Sequence, residues 1–320
     1  MILVTGATGF IGRHLVTGLI AAGQPVRVLL PPNLSEARRN RLTWHDEVET
    51  VIGTLYDPDA LHRALIDVDT VYHLASAQWW GRRRDLEHVD LLGTRGLIAA
   101  ARAARIGRVI VLSQLGASPS SAFMLLRTKG RFEELIRSSG LAYTIIRSGI
   151  VFAPDDSFVN GVATLLHGNP LFVLQPGQGE NLLHPIYIAD LVEALIRTLE
   201  TVDTVDQVIE IGGPEYLSYN ELLLTVMRVT QTPRSIVSLP PYLLRTLTST
   251  TRSLFPRWPI TPQWYDLLAS NRTAPLGTID TLFGIHPARF EDTIVTYMPQ
   301  RRYALELGRA LLRRTSGHGR

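Results

Sequence analysis

The sequence predicts an α/β chain built on a doubly wound parallel sheet, with a smaller, mostly helical C-terminal lobe. Three observations predict it. Short β-branched runs alternate with longer stretches of helical spacing over the first 150 residues. Each return between such runs needs a helix, which makes neighbouring strands parallel. The runs are apolar throughout, as suits a sheet covered on both faces.

Ile2–Thr5 is the first strand, and Phe10, Ile11, Leu15, Leu19 and Ile20 follow it at helical intervals. Val26–Leu30 is the second strand and Glu49–Ile52 the third. Ala60–Ile66 fits a helix after Asp57-Pro58, and Thr70–Leu74 is the fourth strand. The Ala-rich stretch Leu91–Arg105 reads as helix, Val109–Leu112 as the fifth strand, Phe132–Ser138 as helix and Tyr143–Arg147 as the sixth strand. Beyond residue 150 the pattern loosens, with loops at Pro154, Pro170, Pro176, Gly177 and Gly179. Ile186–Leu199 reads as a helix opened by His184-Pro185, and Val208–Gly213 as a strand. Tyr219–Val229 is helical, with Ser218 as N-cap and Glu221 three residues on. Leu239–Thr261 mixes Pro, Leu, Arg and aromatic residues and fits either a core-packing lobe or a surface-seeking element. The expected division is a core at 1–153, to which 184–213 returns, a discontinuous substrate or partner lobe at 154–300, and a basic tail at 301–320.

Of the 320 residues 45% are hydrophobic and 19% charged, enough to bury a substantial core. The absence of cysteine excludes disulfides, thiolate metal sites and a Cys nucleophile. His, Asp and Glu show no metal-ligand spacing, so no metal is expected. Met1 leads straight into Ile2-Leu3-Val4 and no 18-residue apolar run exists, so neither a secretory leader nor a spanning helix is expected, and the location expected is cytoplasmic. The net charge is only +3, and no sequence-specific nucleic-acid partner is expected. Arg82-Arg83-Arg84 and the arginines of the last 20 residues read as solvated charges. Together with Leu239–Thr261, the arginine-rich tail leaves peripheral membrane contact as a further reading.

Gly6-Ala7-Thr8-Gly9-Phe10-Ile11-Gly12 is a G-x-x-G-x-x-G run directly after a strand and directly before a helix. Gly6 can take the angles of a tight turn, Gly9 lets the main chain approach phosphates, and Gly12 lets the helix pack on the strand. The free N–H groups and dipole at the helix start favour an anion. The run therefore predicts a Rossmann-type unit holding the pyrophosphate of NAD(P). Where such units carry an acid to hold the adenosine ribose, the second strand ends in Leu29-Leu30-Pro31-Pro32-Asn33, with no acid until Glu36. The cofactor is NADP or NAD, with a lean to NADP and Arg38, Arg39 or Arg27 near the extra phosphate.

Further segments fall at recognisable spacings: Val71–Ser76, Leu92-Gly93-Thr94, Val109–Ser113, Tyr143–Gly149 and Ile211–Glu215. With the stretch Arg127–Asp190, they make residues 1–300 similar to the atypical and extended short-chain dehydrogenase/reductases, the branch that includes NmrA-like proteins and the NADPH-binding accessory subunit of respiratory complex I. The resemblance implies that Leu74, Ala75, Ser76, Ser113, Ser148, Gly149 and Ile150 join the glycine loop in holding the dinucleotide. It also implies a catalytic Tyr-x-x-x-Lys pair and a Ser or Thr after the fifth strand. The lysine matches Lys129, the single lysine among 32 basic residues, but Leu125 stands at the tyrosine position. The Ser position is Leu115, with Ser113 two residues earlier. A leucine can neither donate nor orient a proton. Lys129 is read as a compact cation for the nicotinamide ribose, a role the broad guanidinium of Arg cannot fill in a tight pocket.

Other residues read more plainly. His73 ends a buried strand and fits core packing, and His184 leads into a helix. Trp79 and Trp80 fit either a pocket wall or lobe packing. Two functions remain. One is a cofactor-holding accessory or sensor protein, favoured by the missing Tyr and Ser. The other is an NAD(P)H-dependent reductase or epimerase/dehydratase-like enzyme on an unidentified small molecule, with its proton from water, the substrate, or a group such as Tyr187 or His184.

Overall fold

The computed structural model describes all residues except 36–38, 40–41, 78–82, 255–260, 306–307 and 309–320. Arg38, Trp79 and Trp80, and all of the basic tail beyond Leu305 except Gly308, lie outside the described residues. The chain divides into two compact units.

The first unit comprises Met1–Ser148, Ile188–Ile211 and Ala274–His286. Its strands are β1 (Ile2–Thr5), β2 (Val26–Leu30), β3 (Glu49–Ile52), β4 (Thr70–His73), β5 (Arg108–Gln114), β6 (Tyr143–Ser148) and β7 (Gln207–Ile211). They form one sheet in the order β3-β2-β1-β4-β5-β6-β7, and every pair is parallel. The helices are α1 (Phe10–Ala21), α2 (Pro58–Leu65), α3 (Thr94–Ala103), α4 (Met124–Arg137), α5 (Ile188–Arg197) and α6 (Thr278–Phe283). Leu3, Val71, Val109 and Ile145 pack with Leu61, Leu97, Phe132 and Ile136 of α2, α3 and α4. Each such side chain, fully buried, contributes about 1.5–3 kcal/mol. α1 and α5 lie so close that a Cβ on Gly18 would come within 2.8 Å of Val192. Tyr72 Oη reaches out of β4 to donate to Leu195 O at 2.7 Å.

The chain runs outward from β1 to β3, then crosses back to β4 and runs outward the other way. The loops after β1 and β4 therefore diverge and leave a crevice at the C-terminal ends of these two strands, where ligands of such sheets bind. Gly6 follows β1 and Leu74 follows β4, so strand order alone carries the glycine loop to this crevice.

Three helices differ from the expectations. The stretch expected as helix Leu91–Arg105 begins earlier, with a π-helical segment Glu87–Gly93 running into α3. α4 starts eight residues before Phe132, which places Lys129 mid-helix. Thr128 and Gly130 are poor helix formers, but a Cβ on Gly130 would meet Pro119 N at 2.2 Å, so the tertiary neighbour holds this turn. The expected helix at Ile186–Leu199 starts at Ile188, because Ile186–Tyr187 pairs as a short strand with Val151–Phe152.

The second unit comprises Gly149–Tyr187, Gly212–Thr273 and Pro287–Arg320. It is mostly helical, with Val159–Gly168, Tyr219–Val229, Pro241–Leu254 and Pro262–Leu268. Its strands pair in twos, the longest being Phe172–Pro176 beside Ser235–Leu239. The capping box forms: Ser218 Oγ accepts from Glu221 N, and Glu221 Oε2 accepts from Ser218 N. His184 leads into the strand Ile186–Tyr187 rather than a helix. It is buried beside Tyr216, and its Nε2 donates to Gly213 O at 2.7 Å.

Candidate functional site

A cavity of about 200 Å³ opens at the crevice of the first unit, lined by Gly6, Gly9–Gly12, His73–Ser76, Leu112, Lys129 and Phe132. Gly6 has φ +75°, and a Cβ there would sit 2.6 Å from the backbone of Leu74 and Ala75. A Cβ on Gly12 would sit 2.2 Å from Gly6 O. The loop is thus wedged between the ends of β1 and β4 with no room for a side chain at Gly6 or Gly12. No side chain caps α1, so the N–H groups of its first turn are left for a ligand. A bare helix start, a glycine cradle and an adjacent cation fit the pyrophosphate of a dinucleotide. Of the expected loop residues, Ala7 is buried in the core and Thr8 lies outside the cavity lining.

The cation is organised by a residue that the sequence did not single out. Lys129 Nζ lies 3.0 Å from Asp90 Oδ1 and donates to Ser76 Oγ at 3.1 Å. Asp90 is wholly buried, and it also accepts from Ser76 Oγ at 2.6 Å and from Ala77 N at 2.9 Å. The π-helical turn holds Asp90 inward, and its carboxylate joins the loop after β4 to α4. The only sequence signal was its place three residues before Gly93-Thr94, because the partners stand 14 and 39 positions away.

His73 is also held in one state. Thr94 Oγ1 donates its one proton to Asp90 O at 2.7 Å, so at 2.9 Å from His73 Nε2 it accepts. His73 therefore carries its proton on Nε2 and accepts at Nδ1 from Thr5 Oγ1, 2.7 Å away. Complete burial pushes its pKa down to about 4, and Lys129 adds to the shift while Asp90 opposes it. His73 is at once core residue and cavity wall.

Two of the expected residues lie elsewhere, Ser113 and Arg27. The Ser113 hydroxyl donates to buried Glu133, which in turn holds Arg147 at 2.6 Å, and Ser113 does not line the cavity. Leu112 faces the cavity instead, because successive residues of a strand point to opposite faces. Arg27 is spoken for: it pairs with Glu49 at 2.6 Å and donates to Ala64 O. It also lies at the N-terminal end of β2, away from the crevice. Leu125 and Leu115 are both buried hydrocarbon. Ser148 is buried at the end of β6 and accepts from Leu115 N at 3.1 Å, while Gly149 and Ile150 belong to the second unit. Arg39 has a buried Nε with no hydrogen-bond partner.

Residues 6–169 match the NAD(P)H-binding family. The chain belongs to this family. Its nicotinamide dinucleotide is the ligand that the glycine loop fits, and the motifs place it in the atypical branch of the short-chain dehydrogenase/reductase superfamily. Over 90% of its length it is 25% identical to the mitochondrial NADH dehydrogenase [ubiquinone] 1 alpha subcomplex subunit 9 of Arabidopsis thaliana, of which it spans 72%. It is 32% identical to a ceramide reductase of Caulobacter vibrioides over 62% of its own length and 61% of the reductase. Its fold superposes on the UDP-glucose 4-epimerase of Thermotoga maritima with a TM-score of 0.70, at 20% identity, over 92% of this chain and 97% of the epimerase. Among the described residues no helix is long and apolar enough to cross a membrane.

Proposed function

We propose that this family member is a dinucleotide-holding protein of accessory or sensing type, in which NAD(P) serves as a bound ligand for stability or signalling. One observation carries the reading. Lys129 is tied to buried Asp90, while the position four residues before it is the buried hydrocarbon of Leu125. The described ionisable groups lining the cavity are Lys129 and a His73 locked neutral, and the hydroxyl beside the lysine is that of Ser76, whose proton goes to Asp90. The first turn of α1 with Gly6 and Gly9 would hold the pyrophosphate, and Leu74–Ser76 with Lys129 would hold the nicotinamide half. The likeness to a subunit of mitochondrial NADH dehydrogenase supports an accessory role with a protein partner. NADP is the dinucleotide favoured, with Arg39 as its phosphate reader, and the cytoplasm is the location proposed.

The test is mass identification of the nucleotide that co-purifies with the protein, together with NADPH oxidation assays over aldehydes, ketones and nucleotide sugars. A retained dinucleotide without turnover is the expected result. Protein that carries no nucleotide, and whose melting temperature neither NADH nor NADPH raises, would remove the basis of the reading.

A second reading has its own support. The likeness to ceramide reductase and the kept Lys129 favour an NADPH-dependent reductase. The dinucleotide would then supply the hydride, and the proton would come from water or the substrate. Turnover at ordinary enzymatic rates would replace the first reading with this one.

A further inference from the structure

The sheet of the first unit ends in an open strand. β7 pairs with β6 alone, and among the described residues no backbone hydrogen bond leaves its outer side. Sheets commonly blunt such an edge with Lys, Pro, a bulge or a covering segment. Gln207–Ile211 holds neither Lys nor Pro, and beside it lies a groove of about 520 Å³. The groove is lined by residues 207–210 of β7, by Arg147 and Asp203, and by Thr278 and Leu282 of α6.

The groove is acidic, and its cation is already engaged. Arg147 is the one cation in the described lining. Its Nε and Nη2 donate to Glu133, and its Nη1 donates to Glu210 Oε1 at 3.0 Å. The bond to Glu133 is the largest cause that holds its pKa above the usual guanidinium value. Two carboxylates thus answer one guanidinium. Asp203 is exposed and makes no ion pair or hydrogen bond among the described residues. Residues 198–211 hold four acids and no base. Arg197 of α5 is paired with Glu193 and donates to Phe283 O, and Arg108 donates to Thr144, Thr198 and Thr204.

The charges also stand in register. Ser113, Arg147 and Glu210 form one row across β5, β6 and β7. A hydroxyl is followed by a cation, and the cation by an anion at the open edge. A strand added beyond β7 would set one side chain beside Glu210 and others on the same face at every second position. A cation fits beside Glu210, whereas a carboxylate there would be repelled by Glu210 and by Asp203.

We propose that the free edge of β7 takes an extended segment of a protein partner as an eighth strand, with Lys or Arg at alternate positions. Its main chain would satisfy the outer N–H and C=O groups of β7, and its basic side chains would meet Glu210 and Asp203. A small soluble cation would meet the carboxylates but leave the strand edge unpaired. A phosphate or a nucleic acid would face an acidic rim whose arginine is held by Glu133 and Glu210.

The test is fluorescence anisotropy of the full chain with a set of labelled peptides that alternate Lys or Arg with Val, Ile, Thr or Phe. At least one of them should bind. That peptide should bind at least tenfold more weakly when Glu replaces its basic residues, and again when its alternate backbone nitrogens are methylated. The double variant Asp203→Lys, Gln207→Lys changes two exposed side chains at the edge. It should lose peptide binding at least tenfold while keeping its dinucleotide-induced rise in melting temperature. No binding by any peptide overturns the proposal, and concentration-dependent self-association abolished by the double variant would then assign the edge to a second copy. Equal binding by the methylated peptide overturns it and assigns the groove to cations without strand pairing. Equal binding by the Glu peptide, or full binding by the double variant, overturns it as well. If the double variant does not fold, Asp203→Asn and the salt dependence of the wild type decide in its place, and binding unchanged by both overturns the proposal.

Discussion

The ammonium of Lys129 and the carboxylate of Asp90 lie 3.0 Å apart, their side chains 4% and 0% exposed. A pair so removed from water is held by its mutual attraction and by Ser76 and Ala77, which satisfy the remaining carboxylate lone pairs. Removing one partner strands the other charge, which costs more than the pair is worth.

Asp90→Asn keeps the shape and leaves Lys129 uncompensated, so it should lower stability by about 3 kcal/mol. Lys129→Met should cost a comparable amount. The double variant should lose clearly less than the sum, with a coupling of about 1–3 kcal/mol. Urea unfolding of the four proteins measures this, and strict additivity would mean that the pair does not form.

The pH dependence of stability should contain two opposed contributions. The pKa of His73 is pushed down to about 4, so the unfolded chain takes up the proton first as pH falls. The stability it contributes is present above about pH 6.5 and is lost toward pH 4, on the order of 3 kcal/mol. Asp156, buried in the second unit, has its pKa raised to about 7 because burial outweighs the bonds it accepts from Ala153, Val159 and Asn160. Its contribution is present below about pH 3.8 and is lost as pH rises through 7. Between pH 7 and pH 5, His73→Gln should therefore gain stability on acidification relative to the wild type, and Asp156→Asn should lose it. Denaturation curves over that range would show the two variants diverging, and parallel curves would refute the assignment.

The glycine loop should respond in a graded way. Gly6→Ala and Gly12→Ala put a Cβ 2.6 Å and 2.2 Å from backbone atoms that cannot step aside, so both should abolish the melting-temperature rise given by NADPH or NADH. In Gly9→Ala the new Cβ sits 3.1 Å from Gly6 O. It should fold within about 1 kcal/mol of the wild type and weaken dinucleotide binding only by crowding the phosphates. Thermal shift with and without dinucleotide separates the three.

Arginine substitutions should sort the adenosine half. Arg27→Gln breaks the pair with Glu49 and the bond to Ala64 O, so it should cost about 1–2 kcal/mol and leave the ratio of NADPH to NADH affinity unchanged. Arg39→Gln, which removes a cation with an unpartnered buried Nε, should lower that ratio at least tenfold. Titration of both nucleotides against both variants reads it directly.

The parts legible in the sequence were those set by neighbours along the chain. An apolar four-residue run needs only its own pattern to read as β1, G-x-x-G-x-x-G needs only its place between strand and helix, and the box of Ser218 and Glu221 spans three residues. Helix ends were less legible, because α4 passes through Thr128 and Gly130 on the strength of a contact with Pro119. The cavity lining could be assigned around Gly6 and Lys129 but not at Ser113, since one residue's shift in a strand reverses the face and Glu133 claims the hydroxyl.

By itself the sequence determined the order of strands and helices over the first 150 residues, the turn that fits a pyrophosphate, and the hydrocarbon at positions 115 and 125. The tertiary structure decided which charges meet. Asp90 reaches Lys129 across 39 residues, Glu49 takes Arg27 across 22, and His73 is neutral because complete burial disfavours its charge, while Thr5 and Thr94 fix its proton on Nε2. Charge state and pairing follow from distance and from the exclusion of water, and both arise only when the sheet brings remote segments together.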